Sequence, residues 1–302
     1  MVRRVLAIVN PAAGGGACRA LAPGALDRLR AAGVEVEVAT TDAVGDATRL
    51  ARAGYARGLR GFVAVGGDGT GYEIVNGLLP EALSAGPDDR PCLGFLPLGT
   101  GNSFLRDFGT GDVEHALSAL MEGRRRACDV VRLRHDGGVL HYINLLSAGF
   151  VADVAAAANR RFKALGTAGY GAAVVLETLS LSPRVLRMRM DGGEPWAVPV
   201  TFVSFCNSKF TGGSMMMAPF ADTADGRVDV IVARSMGRLQ LLAAFPKIFT
   251  GKHVHLPTIA CSQASRVTFD VPGPIDLMID GEVERHRPLD LEVLKGVLDV
   301  CV

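Results

Sequence analysis

Cysteine pairs, long apolar runs and an excess of charge of one sign are all missing from this 302-residue sequence. The six cysteines show no C-x-x-C spacing and no metal-type spacing with histidine, which favours free thiols in a reducing compartment. The longest apolar segment, 168–181, contains Glu177 and is too short to span a bilayer. The formal net charge is +1, so no overall field attracts nucleic acid, and we expect no nucleic-acid partner.

The composition is not that of a disordered protein, and the sequence has no lysine-containing phosphate loop. Hydrophobic residues make up 49% of the chain and charged residues 21%, which is typical of a globular protein. No G-x-x-x-x-G-K-[ST] motif is present. A phosphate site in this chain would therefore depend on backbone amides more than on a lysine.

Residues 62–73, FVAVGGDGTGYE, combine a buried strand, a glycine turn and the start of a helix. The apolar run 62–65 predicts the strand, and Thr70 with Glu73 three residues later predicts a capping box. A glycine turn before a helix presents backbone N–H groups to an anion. Asp68 in the turn would repel phosphate directly, which suggests a bridging Mg²⁺. A single turn of this kind is more often an ordinary strand-to-helix connection.

Three glycine-rich loops, at 10–16, 66–70 and 98–102, each follow a predicted strand. Residues 1–123 alternate strand and helix four times, which predicts a doubly wound parallel sheet. The carboxyl ends of parallel strands share one edge of the sheet, where ligands bind. Three such loops at one edge indicate a binding site, which one loop alone would not.

The pattern changes after residue 126 to strand-like runs with few helices between them. The exceptions are 150–181 and 236–250, so a mainly β second domain is predicted. Residues 289–301 have strand character again and in this interpretation return to the first domain.

Six motifs, in this order along the chain, resemble the diacylglycerol kinase catalytic family of lipid kinases. The soluble bacterial members look most similar, and sphingosine and ceramide kinases are relatives. The motifs are NPAAGGG at 10–16, TTDAVGDA at 40–47, VGGDGTGYEIVNGL at 65–78, LPLGTGNSFLRDFG at 96–109, ADTADGRVDV at 221–230 and IDGEVE at 279–284. The combination of GGDGT with PLGTGN is specific, and the resemblance covers nearly the whole chain.

The resemblance implies an α/β plus mainly β protein with ATP in the cleft between two domains. The N-terminal doubly wound parallel-sheet nucleotide domain would be 1–126, to which 289–302 return, and the C-terminal β-sandwich lipid-substrate domain would be 127–288. It implies that the nucleotide-binding residues are Asn10, Pro11, Ala12, Ala13, Gly14, Thr41, Gly66, Gly67, Asp68, Gly69, Thr70, Gly71, Tyr72, Glu73, Thr100, Gly101 and Asn102.

The resemblance also implies acidic residues that act with magnesium. Glu282 corresponds to the family's proposed base, and Asp280 and Asp68 complete the acidic set around catalytic Mg²⁺. A structural Mg²⁺ would be held by Asp222, Asp225 and Arg227, the last through its carbonyl oxygen. From the residues alone, Asp280-Gly281 is an ordinary hairpin signal and the 222–229 segment an ordinary acidic loop.

The implied reaction is transfer of the γ-phosphoryl group of ATP to a lipid hydroxyl, with diacylglycerol as first choice. A ceramide or a sphingoid base is the alternative, because the same loops serve all of these lipid kinases. Asn102-Ser103-Phe104 departs from the Asn-Asp-Phe often found in bacterial diacylglycerol kinases, which weakens the transfer of lipid preference. An NAD-linked oxidoreductase is disfavoured, because the first loop lacks G-x-G-x-x-G and no acidic residue ends the second strand. A catalytically inactive lipid-binding protein is disfavoured by the full acidic set.

The lipid partner requires an apolar groove, for which 150–181 and the loop 210–220 with Met215, Met216 and Met217 are candidates. Arg160, Arg161 and Lys163 are candidates for contact with anionic headgroups. We expect a cytoplasmic protein, soluble or peripherally associated with the inner face of the membrane. The sequence does not decide whether it forms a homodimer.

Overall fold

The computed structural model describes residues 4–86, 89–109, 111–158 and 166–302. The chain forms two compact units, the first made of Met1–Val130 with Lys295–Val302 and the second of Val131–Leu294. The sequence-based boundaries at 126 and 289 lie near these. Arg160, Arg161 and Lys163 fall outside the described residues.

The first unit alternates strands and helices in chain order. Its strands are β1 (Arg4–Val9), β2 (Glu35–Thr40), β3 (Gly61–Gly66) and β4 (Cys92–Pro97), and its helices are α1 (Ala17–Ala31), α2 (Asp46–Ala56), α3 (Asp68–Ala82) and α4 (Val113–Glu122). Short 3₁₀ helices occupy Ala13–Gly16 and Phe104–Phe108. The strand β5 (Arg125–His135) continues into the second unit.

The second unit is mainly β, as predicted. Its further strands are β6 (Gly138–Tyr142), β7 (Leu145–Gly149), β8 (Arg184–Met190), β9 (Trp196–Cys206), β10 (Phe210–Thr211), β11 (Met215–Met216), β12 (Val228–Arg234), β13 (Ile259–Ala264), β14 (Arg266–Phe269), β15 (Ile275–Ile279), β16 (Glu282–His286) and β17 (Pro288–Cys301). Its helices are α5 (Phe150–Ala157), α6 (Gly166–Leu179) and α7 (Arg238–Ala244), followed by 3₁₀ helices at Phe245–Thr250 and Lys252–His255.

The sheet of the first unit has the order β17-β4-β3-β1-β2, with all neighbours parallel. Every residue of β3 is buried, which suits a central strand covered on both faces. Leu26 and Leu29 of α1 pack on one face with Val63 of β3. Gly54 of α2 approaches Leu6 on the other face so closely that a Cβ at this position would lie 2.7 Å from the leucine. The predicted doubly wound parallel sheet is confirmed.

The predicted capping box at Thr70 and Glu73 is wrong. Helix α3 begins at Asp68, and its N-cap is Gly67 without a side-chain hydrogen bond. The Thr70 hydroxyl is buried within the helix, whereas the Glu73 carboxylate accepts from the backbone N–H groups of Gly45 and Ala47, both at 3.0 Å. Glu73 therefore caps helix α2, because the two helices pack side by side.

The strand β9 takes part in two layers of the second unit. Its C-terminal part lies between β7 and β12, and β7 continues to β15 and β16. Its N-terminal part pairs with β8, which continues to β14 and β17. Helices α5, α6 and α7 pack with Phe202 and Ile231 in one apolar cluster. This is the β-sandwich that the resemblance implied.

Candidate active site

The three glycine loops of the first unit meet at the carboxyl ends of its strands. The N–H of Gly99 donates to the carbonyl of Gly66 at 2.8 Å, and the N–H of Asn10 donates to the carbonyl of Val65 at 2.9 Å. Gly14 adopts a φ of +61°, and a Cβ there would lie 2.6 Å from the carbonyl oxygen of Leu98. The parallel strand order predicted this convergence.

Side chains are excluded where two of these loops touch. A Cβ at Gly99 would lie 2.3 Å from the Cα of Gly67, which is closer than any real side chain approaches a backbone. Gly67 is also the N-cap of α3, where the first amides of a helix have no carbonyl of the helix to bond. Glycine backbone without side chains therefore forms the surface at the start of α3, and such a surface suits a phosphate.

Asp68 connects the second glycine loop to the third. Its carboxylate accepts from the backbone N–H of Ser103 at 2.9 Å and of Phe104 at 3.4 Å. Burial raises the pKa of the Asp68 carboxyl, while these N–H groups, a hydrogen bond from the Ser103 side chain and the Arg106 charge act in the opposite direction. Each carboxylate oxygen has two acceptor positions, so room is left for a cation. An oxygen donor of this kind fits magnesium.

Residues 70–73 face the interior of the first unit more than the loop surface. Thr70 and Tyr72 are buried. A Cβ at Gly71 would lie 2.6 Å from the Phe95 ring, so this glycine serves close packing of α3 on β4. Glu73 is occupied at the start of α2. Of the predicted nucleotide residues, these four are therefore held by contacts within the fold.

The polar residues of the other two loops shape the loops themselves. The Asn10 side chain accepts from the N–H of Ala12 at 3.1 Å. The Asn102 amide donates to the carbonyls of Pro97 and Gly99 at 3.1 and 2.9 Å, and its φ is +51°. Thr41 is buried beside the end of β1, where its N–H donates to the carbonyl of Val9 at 2.9 Å. Thr100 is exposed.

Asp280 holds a backbone turn in the second unit. It is only 3% exposed, and its carboxylate accepts from the N–H groups of Ile143, Asn144 and Leu145, each at 3.0 Å. Its own N–H donates to the carbonyl of Leu145 at 3.0 Å. Three charge-assisted hydrogen bonds give this carboxylate a positioning role.

Glu282 follows Asp280 directly across a hairpin turn. Asp280 and Gly281 both have positive φ, +48° and +94°, which gives the two-residue turn expected for Asp-Gly. Glu282 pairs with Ile279 across the hairpin and is exposed. The hairpin signal and the acidic motif are therefore one feature, because the turn fixed by Asp280 presents Glu282 to solvent.

The segment 222–229, which leads into β12, offers oxygen donors in the second unit. Asp222 accepts from the N–H of Ala224 at 3.0 Å, and Asp225 accepts from the N–H of Arg227 at 2.8 Å. Burial raises the pKa of the Asp229 carboxyl, and the Asp225 charge acts in the same direction. Two carboxylates and the backbone carbonyls of one loop are a donor set that fits a hard cation such as magnesium.

A cavity lies among the helices of the second unit. It encloses about 570 Å³, including its open mouth, and its walls are almost wholly apolar. Among its lining residues are Phe150, Phe202, Met215, Met217, Leu241 and Phe245. The predicted apolar segments thus meet around one space, although Met216 is not among the lining residues.

Ser103 and Phe104 were missed as site residues. Both contribute backbone N–H groups that no side-chain pattern reveals, and Asp68 lies 35 positions from Ser103 in sequence. Among the described helices, none has the length and apolar character required to cross a bilayer.

Two family models match the chain in succession. The diacylglycerol kinase catalytic domain matches residues 4–133, and the YegS C-terminal NAD kinase beta sandwich-like domain matches residues 144–302. Together they cover nearly all of both units.

Relatives that match over most of their length have names that agree with these family models. A diacylglycerol kinase from Mycobacterium tuberculosis is 33% identical over 303 residues, covering 99% of this chain and 95% of the relative. A probable lipid kinase YegS-like protein from Chromohalobacter salexigens is 31% identical, covering 91% of this chain and 86% of the relative. A diacylglycerol kinase from Bacillus subtilis is 28% identical, with coverages of 93% and 90%.

Solved structures share the fold. A crystal structure of a diacylglycerol kinase from Bacillus anthracis matches with a TM-score of 0.72 at 22% identity, covering 99% of this chain and 96% of that chain. Another chain from the same organism matches with a TM-score of 0.81 at 24% identity, with coverages of 99% and 95%.

Proposed function

The chain belongs to the diacylglycerol kinase catalytic family of lipid kinases, and we propose that it transfers the γ-phosphoryl group of ATP to the free hydroxyl of diacylglycerol. The observation that carries this proposal is the meeting of three glycine loops around Asp68. Diacylglycerol is the first choice because two of the relatives named above are diacylglycerol kinases.

The nucleotide is assigned to the loops of the first unit. Backbone amides of residues 67–69 and 100–102 would hold phosphate oxygens, since glycines let an anion approach the main chain. The N–H groups of Thr70 and Gly99 already donate to the carbonyls of Gly67 and Gly66. The close contact of Gly67 with Gly99 supports this, because the two loops then act as one surface. Asn10 to Gly14 and Thr41 would complete the nucleotide site.

Magnesium is the implied cofactor, and when bound it neutralises charge on the phosphoryl oxygens. Asp68 is the proposed ligand in the first unit, and its hydrogen bonds from the backbone N–H groups of Ser103 and Phe104 orient it. Asp222, Asp225 and the carbonyl of Arg227 are the proposed holders of a structural magnesium ion. The oxygen-only character of both donor sets supports the assignment.

Glu282 is the proposed base that accepts the proton of the attacking hydroxyl. Its exposure and its position directly after the anchored turn at Asp280 support this role. Asp280 itself is proposed as a positioning residue, because its carboxylate is occupied by three backbone N–H groups. General base help is worth roughly 10²–10⁴-fold, so phosphate and metal binding would supply the remainder of the rate enhancement.

The acyl chains are assigned to the apolar cavity of the second unit, whose lining supports a hydrocarbon occupant. Because diacylglycerol resides in bilayers, the reaction would take place at a membrane surface.

A lipid panel with labelled ATP tests this function. Diacylglycerol, ceramide and a sphingoid base are offered in mixed micelles, and we expect phosphate transfer to diacylglycerol. Transfer to ceramide or the sphingoid base alone would replace diacylglycerol as the proposed acceptor. Absence of transfer to every lipid would contradict the proposed kinase activity. Glu282→Gln should lower turnover about 10²-fold or more, whereas Glu194→Gln, an exposed glutamate of the same unit, should leave it unchanged.

A further inference from the structure

Helix α7 is apolar on two opposite faces. Leu241 and Ala244 are buried and line the cavity of the second unit. Leu239 and Leu242, three positions apart, share the opposite face and are 83% and 38% exposed. An apolar face of this kind is normally covered.

The apolar surface continues beyond α7. In the 3₁₀ helix Phe245–Thr250, Phe245 lines the cavity whereas Phe249 is 46% exposed, and their ring centroids lie 5.7 Å apart. The same 3₁₀ helix therefore lines the apolar cavity with Phe245 and exposes the Phe249 ring to solvent.

The charges of this segment all have one sign. No acidic residue occurs between Asp229 and Asp270, whereas Arg238, Lys247 and Lys252 lie within three positions of an exposed apolar residue in sequence. All three are exposed, and none forms an ion pair with a carboxylate of the described chain. Exposed hydrocarbon flanked by unpaired cations is complementary to an anionic bilayer, whose headgroups are negative and whose interior is apolar.

We propose that helix α7 and the following 3₁₀ helix dock the kinase on anionic membranes. We call this surface, made of Leu239, Leu242 and Phe249 with Arg238, Lys247 and Lys252, the docking face. It rests on the proposed function in one respect: docking would bring the cavity wall formed by Leu241 and Phe245 to the membrane that supplies the lipid.

Vesicle flotation tests the docking face directly. The probes are vesicles of phosphatidylcholine alone and of phosphatidylcholine with phosphatidylglycerol in equal parts. We expect the wild-type chain to float with the anionic vesicles and to lose this binding as salt is raised. Leu239→Gln should weaken flotation several-fold, and Lys247→Gln or Lys252→Gln should each weaken it about fivefold.

The matched control is Leu21→Gln, which removes an exposed leucine from helix α1 of the first unit. It should float like the wild type, and equal weakening of both leucine variants would overturn the proposal. Flotation of Leu239→Gln at the wild-type level would also overturn it. If Leu239→Gln instead converts a dimer to a monomer in light scattering with flotation unchanged, the face binds a second copy and the membrane assignment is wrong.

Turnover of a short-chain diacylglycerol dispersed without vesicles separates this inference from the kinase activity. Leu239→Gln should turn over this substrate at the wild-type rate while losing activity on vesicle-embedded diacylglycerol. If neither the wild type nor any variant phosphorylates a lipid, the proposed function fails. The flotation result still decides whether the docking face binds anionic membranes.

Discussion

The carboxylate of Asp68 accepts a hydrogen bond of 2.9 Å from the backbone N–H of Ser103. This contact joins the GGDGT turn to the loop after β4, so Asp68 has a structural task besides the proposed metal contact. The two tasks can be separated by substitution, because an amide oxygen accepts a hydrogen bond but carries no charge.

We expect Asp68→Asn to keep the fold and to lower turnover about 10²-fold or more, because the proposed magnesium contact needs the charge. Asp68→Ala should abolish turnover. Steady-state kinetics with urea unfolding as the fold measurement test this, and Asp27→Asn on the surface of α1 serves as control. Near wild-type turnover in Asp68→Asn would limit the residue to joining the loops.

Asp280→Ala should destabilise the protein strongly. Removal of the carboxylate leaves three backbone N–H groups without their acceptor, and we expect a loss of about 3 kcal/mol or more in the free energy of unfolding. Urea unfolding measures this. Asp276→Ala, in the same hairpin, removes an exposed ion pair with Arg285 and should change stability by less than about 1 kcal/mol. Equal stability of the two variants would show that the turn does not depend on Asp280.

Glu73→Ala should lower the free energy of unfolding by about 1–2 kcal/mol, because it removes the cap of α2. Glu73→Gln keeps one acceptor oxygen and should lose less. The control is Glu81→Ala. Glu81 lies on α3, as Glu73 does, and its ion pair with Arg52 at 3.6 Å is exposed. A large fall in ATP affinity with unchanged stability would instead support the predicted role of Glu73 in nucleotide binding.

Acid should destabilise the second unit through His141. Burial and the Arg132 charge lower the pKa of this histidine to about 4, so the folded protein keeps the ring neutral. The unfolded chain binds the proton near pH 6.5, so the His141 contribution to stability is complete above that pH and is lost as pH falls toward 4. The loss amounts to about 3 kcal/mol.

Urea unfolding between pH 7 and pH 4 follows this loss, and His141→Gln should show a shallower decline over the same interval. An identical decline in both proteins would assign the acid sensitivity to other groups.

Local patterns predicted the elements of the first unit because its apolar runs are buried on both faces. β3 and β4 lie close to their expected positions, and the glycine loops lie between strand and helix as expected. The start of α3 was misplaced because the Thr70 and Glu73 spacing satisfies a local rule while Glu73 bonds to Gly45, 28 positions earlier.

The site residues that were missed act through the backbone or over long separations. Ser103 supplies an N–H group, which every residue except proline has, so its side chain carries no signal. Asp280 was recognised both as a turn residue and as an acidic site residue. Its contacts with 143–145 lie more than 130 positions away and could not be seen from the hairpin alone.

The order of the first sheet has a consequence for synthesis on the ribosome. β4 lies between β3 and β17, and residues Asp299, Val300 and Cys301 reach it only after the whole second unit has been made. Until then β4 is an open edge strand, able to pair with other chains. Long sequence separation also slows folding. The nascent first unit is therefore open to pairing with other chains until residues 299–301 have been synthesised and paired with β4.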